Sequence, residues 1–172
     1  MRPEARFERL YAECGHDVLA YALRRVAEPE DAADVVAETF LVAWRRLDDV
    51  PGGAGARPWL YGIARHALAN QRRGERRRAR LADRLGAELA AGAPARPPTG
   101  EGAALLRALE QLGEDDREVL LLAAWEGLRA PAIGRVLGIS PVAARSRLHR
   151  ARRRLRRQLG GCDLPHWELE EA

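Results

Sequence analysis

Leu137 to Leu159 reads LGISPVAARSRLHRARRRLRRQL, and its reading decides the fold. A short turn, a serine and a proline stand ahead of eight arginines with no acidic residue among them. A solvated helix usually mixes signs, because like charges at i and i+4 cost it roughly 0.2–0.5 kcal/mol per pair. Something outside the segment is expected to neutralise these charges. Just upstream, Pro131–Leu137 has helical spacing, with Ile133, Val136 and Leu137 on a packing face. Gly138 permits a tight turn, Ile139 fills the angle between two helices, and Ser140 can cap a second helix with Pro141 at its favoured first position. These are the parts of a helix-turn-helix. Ala144, Leu148, Ala151 and Leu155 form the expected buried stripe of its second helix, which leaves Arg145, Ser146, Arg147, His149 and Arg150 on the outer surface. Arginine can pair bidentately with guanine edges or clamp phosphates, so those residues are placed to meet a major groove. A basic helix that merely keeps the chain in solution is the plainer reading. The capped turn immediately before the run favours recognition.

Charge is segregated elsewhere too. All 29 basic residues of the 172-residue chain are arginine, yet the formal net charge is only +4. From Arg65 to Arg80 seven arginines stand against Glu75, whereas acids gather at Glu28–Glu38 and Glu101–Glu118. That distribution implies two polyanion-facing surfaces and separate acidic surfaces for other partners. Abundant Ala, Leu and Arg with only 5% aromatic residues favours helix over short-stranded sheets, so an all-α fold is expected.

Periodicity divides the chain. Helical spacing through Phe7, Leu10, Tyr11, Val18, Leu19 and Leu23 predicts a helix over Glu4–Arg25. A second, Glu30–Leu47, carries Val36, Phe40, Ala43, Trp44 and Leu47 on one stripe and Asp31, Asp34 and Glu38 on another. DDVPGGAGARP, Asp48–Pro58, reads as a loop, and helical spacing resumes over Trp59–Leu81 with a strongly basic second half. Further helices are expected at Ala103–Leu112, Asp115–Glu126, Pro131–Leu137 and Pro141–Leu159. Between the halves, LGAELAAGAPARPPTGEG has no apolar period and predicts a flexible linker. The expected organisation is two small helical domains, 1–84 and 103–160, a linker at 85–102 and a tail at 161–172.

Little points to chemistry. There is no Gly-rich phosphate loop, no nucleophile beside a base, and no partner for His66 at triad spacing. Cys14 with His16 and Cys162 with His166 could together assemble a zinc site, but neither pair has knuckle spacing. No catalytic residue, metal or cofactor is expected. With no long apolar run and no signal peptide, membrane insertion is not expected either, and a cytoplasmic location is.

On both sides of the linker the chain resembles the bacterial sigma-70 family of sigma factors, in its small two-domain extracytoplasmic-function (ECF) group. LEQLGEDDREVLLLAAWEGLRAPAIGRVLGISPVAARSRLHRARRRL resembles region four, while DAADVVAETFLVAWRRLDD and RPWLYGIARHALANQRRGERRR resemble region two. The resemblance implies a promoter-specificity subunit without an active site. Asp31, Asp34 and Glu38 would dock on the β′ clamp helices of core RNA polymerase, and region four would meet the β flap. Trp59, Arg65, His66 and Asn70 would open and read the −10 element, with Arg72, Arg73, Arg76 and Arg77 holding phosphates. Arg145, Ser146, Arg147, His149 and Arg150 would read the −35 element of promoter DNA. Members of this group are commonly masked by anti-sigma factors, which makes such a protein a candidate partner. A free-standing helix-turn-helix regulator would account for Ser140–Arg157 but leave the acidic helix and the second basic helix without a use.

Overall fold

The computed structural model describes the backbone of residues 2–84 and 101–159, and the side chains of 2–78 and 104–159. The expected linker lies outside these residues apart from Glu101 and Gly102, and the expected tail, with Cys162, His166 and Trp167, lies outside them altogether. Among the described residues there are seven α-helices and no strand: α1 (Pro3–Leu23), α2 (Pro29–Arg45), α3 (Ala56–Arg84), α4 (Glu101–Glu110), α5 (Glu114–Ala124), α6 (Ala130–Leu137) and α7 (Pro141–Gln158). The fold is all-α. The chain divides into two compact units, one built on α1–α3 and the other on α4, α5 and α7.

In the first unit the three helices pack on one another around Val18, Tyr21, Val35, Leu60 and Tyr61, all essentially without solvent exposure. Tyr21 and Tyr61 stack at 4.7 Å with 15° between their planes, and the Arg25 guanidinium covers the Tyr21 ring at 3.6 Å. Such a ring pair contributes about 0.5–1.5 kcal/mol beyond its buried area. The buried Thr39 hydroxyl donates to the Val35 carbonyl at 2.6 Å, so a polar group sits in the core without an unmet donor. Pro3 and Pro29 both stand in the first turn of their helices, where a missing N–H costs nothing.

The α1 stripe differs from its expected form. Leu10, Cys14, Val18, Tyr21 and Ala22 are buried, whereas Tyr11, Leu19 and Leu23 are exposed. Leu10 and Val18 keep their expected place, and the core-facing line runs on through Cys14, Tyr21 and Ala22, which the expected stripe did not include. The expected loop at 48–58 also contains more structure, with 3₁₀ turns at Leu47–Asp49 and Gly53–Gly55. Helix α3 starts at Ala56 rather than Trp59, because Pro58 falls in the first turn, where no intrahelical bond is lost.

In the second unit α7 packs on α5 and on α4. Val119, Leu122, Ile133, Ala144, Ala151 and Leu155 are buried, while Leu148, expected in the same stripe, is only half-buried. Helix α4 begins two residues before the expected boundary, at Glu101. Its last carbonyls are closed by Arg117, whose guanidinium donates to the oxygens of Leu109, Glu110 and Leu112 at 3.1, 3.3 and 3.4 Å. An arginine from the next helix thus satisfies acceptors that a helix end leaves open.

The helix-turn-helix closes as its residues require. Gly138 adopts φ +68°, a left-handed conformation that glycine takes without strain. The Ile139 N–H donates to the Gly134 carbonyl at 2.9 Å, and a Cβ at Gly134 would come within 2.7 Å of the Ile139 oxygen. Gly134 therefore lets the turn fold directly onto the helix before it. Ser140 caps α7, its hydroxyl accepting from the Ala143 N–H at 3.1 Å, and Pro141 follows at the first position.

Candidate nucleic-acid interface

The arginines of α7 do not form one uniform surface. Arg145, Ser146, His149 and Arg150 are exposed, as are Arg153, Arg156 and Arg157 further along. Arg147, expected beside them, is instead half-buried, and its Nη1 lies 3.1 Å from Asp115 Oδ2 in the first turn of α5. One turn pair further on, Arg154 forms an ion pair with Asp116, a carboxylate that is itself buried. Residues 147 and 154 are seven apart, nearly two helical turns, so one edge of α7 is stitched to the acidic start of α5. Glu114, Asp115, Asp116, Arg147, Arg150 and Arg154, with Gly113, line an open cleft of about 580 Å³ there. At least two of the eight charges that called for an outside partner, those of Arg147 and Arg154, are therefore met within the protein, while Arg145, Arg150, Arg153, Arg156 and Arg157 are exposed.

Helix α3 carries the second basic surface. Trp59, His66, Asn70, Arg73 and Arg77 lie at intervals of seven, four, three and four, which places them on one stripe of a continuous helix roughly 27 Å long from first to last. His66, Asn70, Arg73 and Arg77 are exposed, and Trp59 is half-buried with the Arg46 guanidinium 5.8 Å from its ring centre. Asn70 accepts a hydrogen bond from Arg73. Arg65, Arg72 and Arg76 repeat at seven and four on a neighbouring stripe. Arg65 and Arg72 are half-buried, and Arg72 donates to the Arg25 carbonyl at 3.2 Å. The expected set is thus split into two rows, the second with Arg65 and Arg72 half-buried and Arg76 exposed.

On α2, Asp31, Asp34 and Glu38 share the side opposite the buried line Ala32, Val35, Thr39, Phe40 and Ala43. Asp34 and Glu38 are exposed, and Asp31 is half-buried. Around Phe7, edge-on ring contacts to Phe40 at 6.1 Å and Trp44 at 5.2 Å join α1 to α2. Trp44, expected in the core, keeps 42% of its surface.

Cys14 is buried, and its thiol is pushed above the usual range first by burial and then by the nearby carboxylates of Asp17 and Glu13. It is held protonated and makes a poor metal ligand. Among the described residues no group of three or more His, Cys, Asp or Glu side chains comes together around a metal-sized space, and no helix is long and apolar enough to cross a membrane.

Residue reading overlooked Asp115 and Asp116 as arginine partners and Arg117 as the clamp on α4. The acids at the start of α5 already had a local explanation in the helix dipole, which hid their tertiary one.

Fold and charge together define a protein of the helix-turn-helix class, with a second basic helix on a separate unit. Residues 10–78 match the family model for sigma-70 region 2, and residues 102–155 that for sigma-70, region 4. The chain is 36% identical over 154 residues to the ECF RNA polymerase sigma factor SigL of Mycobacterium tuberculosis, covering 86% of this chain and 85% of SigL. It is 32% identical over 160 residues to the probable RNA polymerase sigma factor RfaY of Xanthomonas campestris pv. campestris, with 89% of this chain aligned to 40% of that longer protein. Among solved structures, the sigma factor RpoE in complex with the anti-sigma factor NepR from Bartonella quintana superposes with a TM-score of 0.68 at 25% identity, covering 91% of this chain and 98% of that one. The chain belongs to the sigma-70 family of RNA polymerase sigma factors, within its ECF group.

Proposed function

We propose that this chain is a promoter-specificity subunit that binds core RNA polymerase and directs transcription initiation by recognising −10 and −35 elements. The observation that carries this reading is the presence, on two separate units of one chain, of an arginine-bearing helix face, together with an acidic face on α2 where Asp34 and Glu38 are exposed. In this reading Asp31, Asp34 and Glu38 meet the β′ clamp helices and the second unit meets the β flap. The stripe of Trp59, His66, Asn70, Arg73 and Arg77 takes the −10 element as separated strands. Stacking on the half-buried Trp59 and pairing of phosphates with the outer arginines would hold the opened strand while its bases are read. Arg65, Arg72 and Arg76 support that stripe from the side. Arg145, Ser146, His149 and Arg150 meet the −35 duplex in its major groove, with Arg147 held at their edge by Asp115.

RpoE was solved with an anti-sigma factor, and the likeness to it supports a masking partner of that class for this chain as well. The chain acts by recognition, with no bond made or broken by its own side chains, and works in the cytoplasm beside the polymerase.

Transcription reconstituted from a promoter template with and without core polymerase tests the whole reading. Transcripts are expected only when both proteins are present. Reversing Asp34 and Glu38 together to lysine is expected to reduce capture of core polymerase at least tenfold. Unchanged capture would remove the docking assignment, and promoter-specific DNA binding by the chain alone, with no effect on core transcription, would favour a free-standing regulator.

A further inference from the structure

The arginines of α7 are sorted by helical phase. Arg145, His149 and Arg156 lie on an exposed side, whereas Arg147 and Arg154 turn towards the start of α5 and end on Asp115 and Asp116. The two pairs are not alike. Asp116 is nearly covered, with 11% of its side chain exposed, and its pairing with Arg154 belongs to the packing of α7 on α5. Asp115 keeps 56% of its side-chain surface, and Arg147 keeps 28%. An ion pair this open to water is held weakly and can be exchanged for another anion. Arg147 also lies within two turns of the Ser140 cap, on the part of α7 assigned above to the DNA groove, and it shares an open cleft with the exposed Arg150.

A phosphate oxygen and the Asp115 carboxylate are competing acceptors for the same guanidinium. We propose that Asp115 limits the sequence-independent DNA affinity of this helix by acting as an internal competitor of phosphate for Arg147. The carboxylate removes one cation from the set that releases counterions on binding, so the protein leaves random DNA more readily than its arginine count implies. Such a limit matters to any DNA reader, since non-specific sites vastly outnumber cognate ones. The inference rests on α7 being a DNA-facing helix, as proposed above, but not on the −35 sequence it reads.

The test is a salt titration of binding to a mixed-sequence duplex, made with the full chain as wild type, Asp115→Asn, Asp115→Asn with Arg147→Gln, and Glu110→Gln. Asp115→Asn is expected to tighten binding roughly three- to tenfold at moderate salt and to steepen the log–log salt slope by about one, the increment of one freed phosphate contact. The double variant has the net charge of the wild type and is expected to return to its slope. Glu110→Gln makes the same change in net charge at an exposed position on α4 and is expected to leave the slope within half of one such increment. An unchanged slope for Asp115→Asn, a gain that survives removal of Arg147, or an equal steepening by Glu110→Gln each overturns the proposal. Circular dichroism of each variant verifies that α5 and α7 remain folded. If Arg145→Ala with Arg150→Ala leaves both duplex binding and promoter-specific transcription with core polymerase unchanged, the DNA-facing assignment of α7 fails first and separately.

Discussion

Helices α3 and α7 carry similar arginine-rich stretches and hold them differently. On α7 the inward arginines end on carboxylates of a neighbouring helix, Arg147 on Asp115 and Arg154 on Asp116. On α3 one of the two half-buried arginines bonds a neutral acceptor, Arg72 on the Arg25 carbonyl, and an outer one bonds a neighbour on its own helix, Arg73 on Asn70. These contacts on α7 are charge pairs, whereas those on α3 are a bond to a backbone carbonyl and a bond within the helix. The contrast matters because charge pairs weaken with salt, and bonds to carbonyls do so much less.

The largest effect expected from separating the two units is on their helical glycines. Gly134→Ala would drive a Cβ to 2.7 Å from the Ile139 oxygen, a backbone atom with little room to move, and is expected to destabilise the second unit by about 1–3 kcal/mol. Gly74→Ala on α3 meets nothing within 4 Å and is expected to stabilise its helix by roughly 0.5–1 kcal/mol. Urea denaturation of both variants checks the opposite signs, and a neutral Gly134→Ala would mean that the turn can open without cost.

Next comes the anchoring itself. Arg154→Ala leaves the buried Asp116 carboxylate without its partner and is expected to cost about 1–3 kcal/mol. The loss should shrink in high salt, because half of the arginine side chain is exposed to screening. Arg72→Ala removes, among its contacts, a bond to a neutral carbonyl and is expected to cost about 1 kcal/mol with a smaller salt dependence than Arg154→Ala. Equal salt dependence of the two, followed by thermal melts across a salt series, would erase the distinction between the surfaces. The smallest expected contrast is in capping. Ser140→Ala should cost about 1 kcal/mol through its lost bond to the Ala143 N–H, while Glu28→Ala, at a cap position with no side-chain bond, should change stability by about half a kcal/mol or less.

Much of the fold was legible because its determinants are local. Helix periodicity located all seven helices, and the Gly138 turn with the Ser140 cap and Pro141 marked the start of α7 at its observed residue. The acidic side of α2 followed from spacing alone, whereas the separation of the α3 residues into two rows was not drawn from it. What could not be read were pairings that only tertiary packing creates. Asp116 and Arg154 stand 38 residues apart, and nothing in either neighbourhood announces the other. Tyr21 and Tyr61 likewise stack across two helices, while the large aliphatics Leu19 and Leu23, which looked like core, turn outward. Arg147 shows the limit most clearly: periodicity puts it near the surface of α7, but its half-burial depends on where α5 begins.

The continuity of α3 has a further consequence. Its first half is seated in the core by Leu60, Tyr61, Ala64 and Leu68, and its second half bears Arg73 and Arg77 of the outward row, with no break between them. The seated half therefore acts as an index mark that sets the angular heading of everything beyond it. Inserting one alanine after Gln71 would swing Arg73 and Arg77 around the axis by about 100° while advancing them only about 1.5 Å. Seven inserted alanines would restore the heading to within about 20° but carry the row roughly 10 Å further out. Comparing the two insertions separates bearing from reach, which point substitutions cannot do.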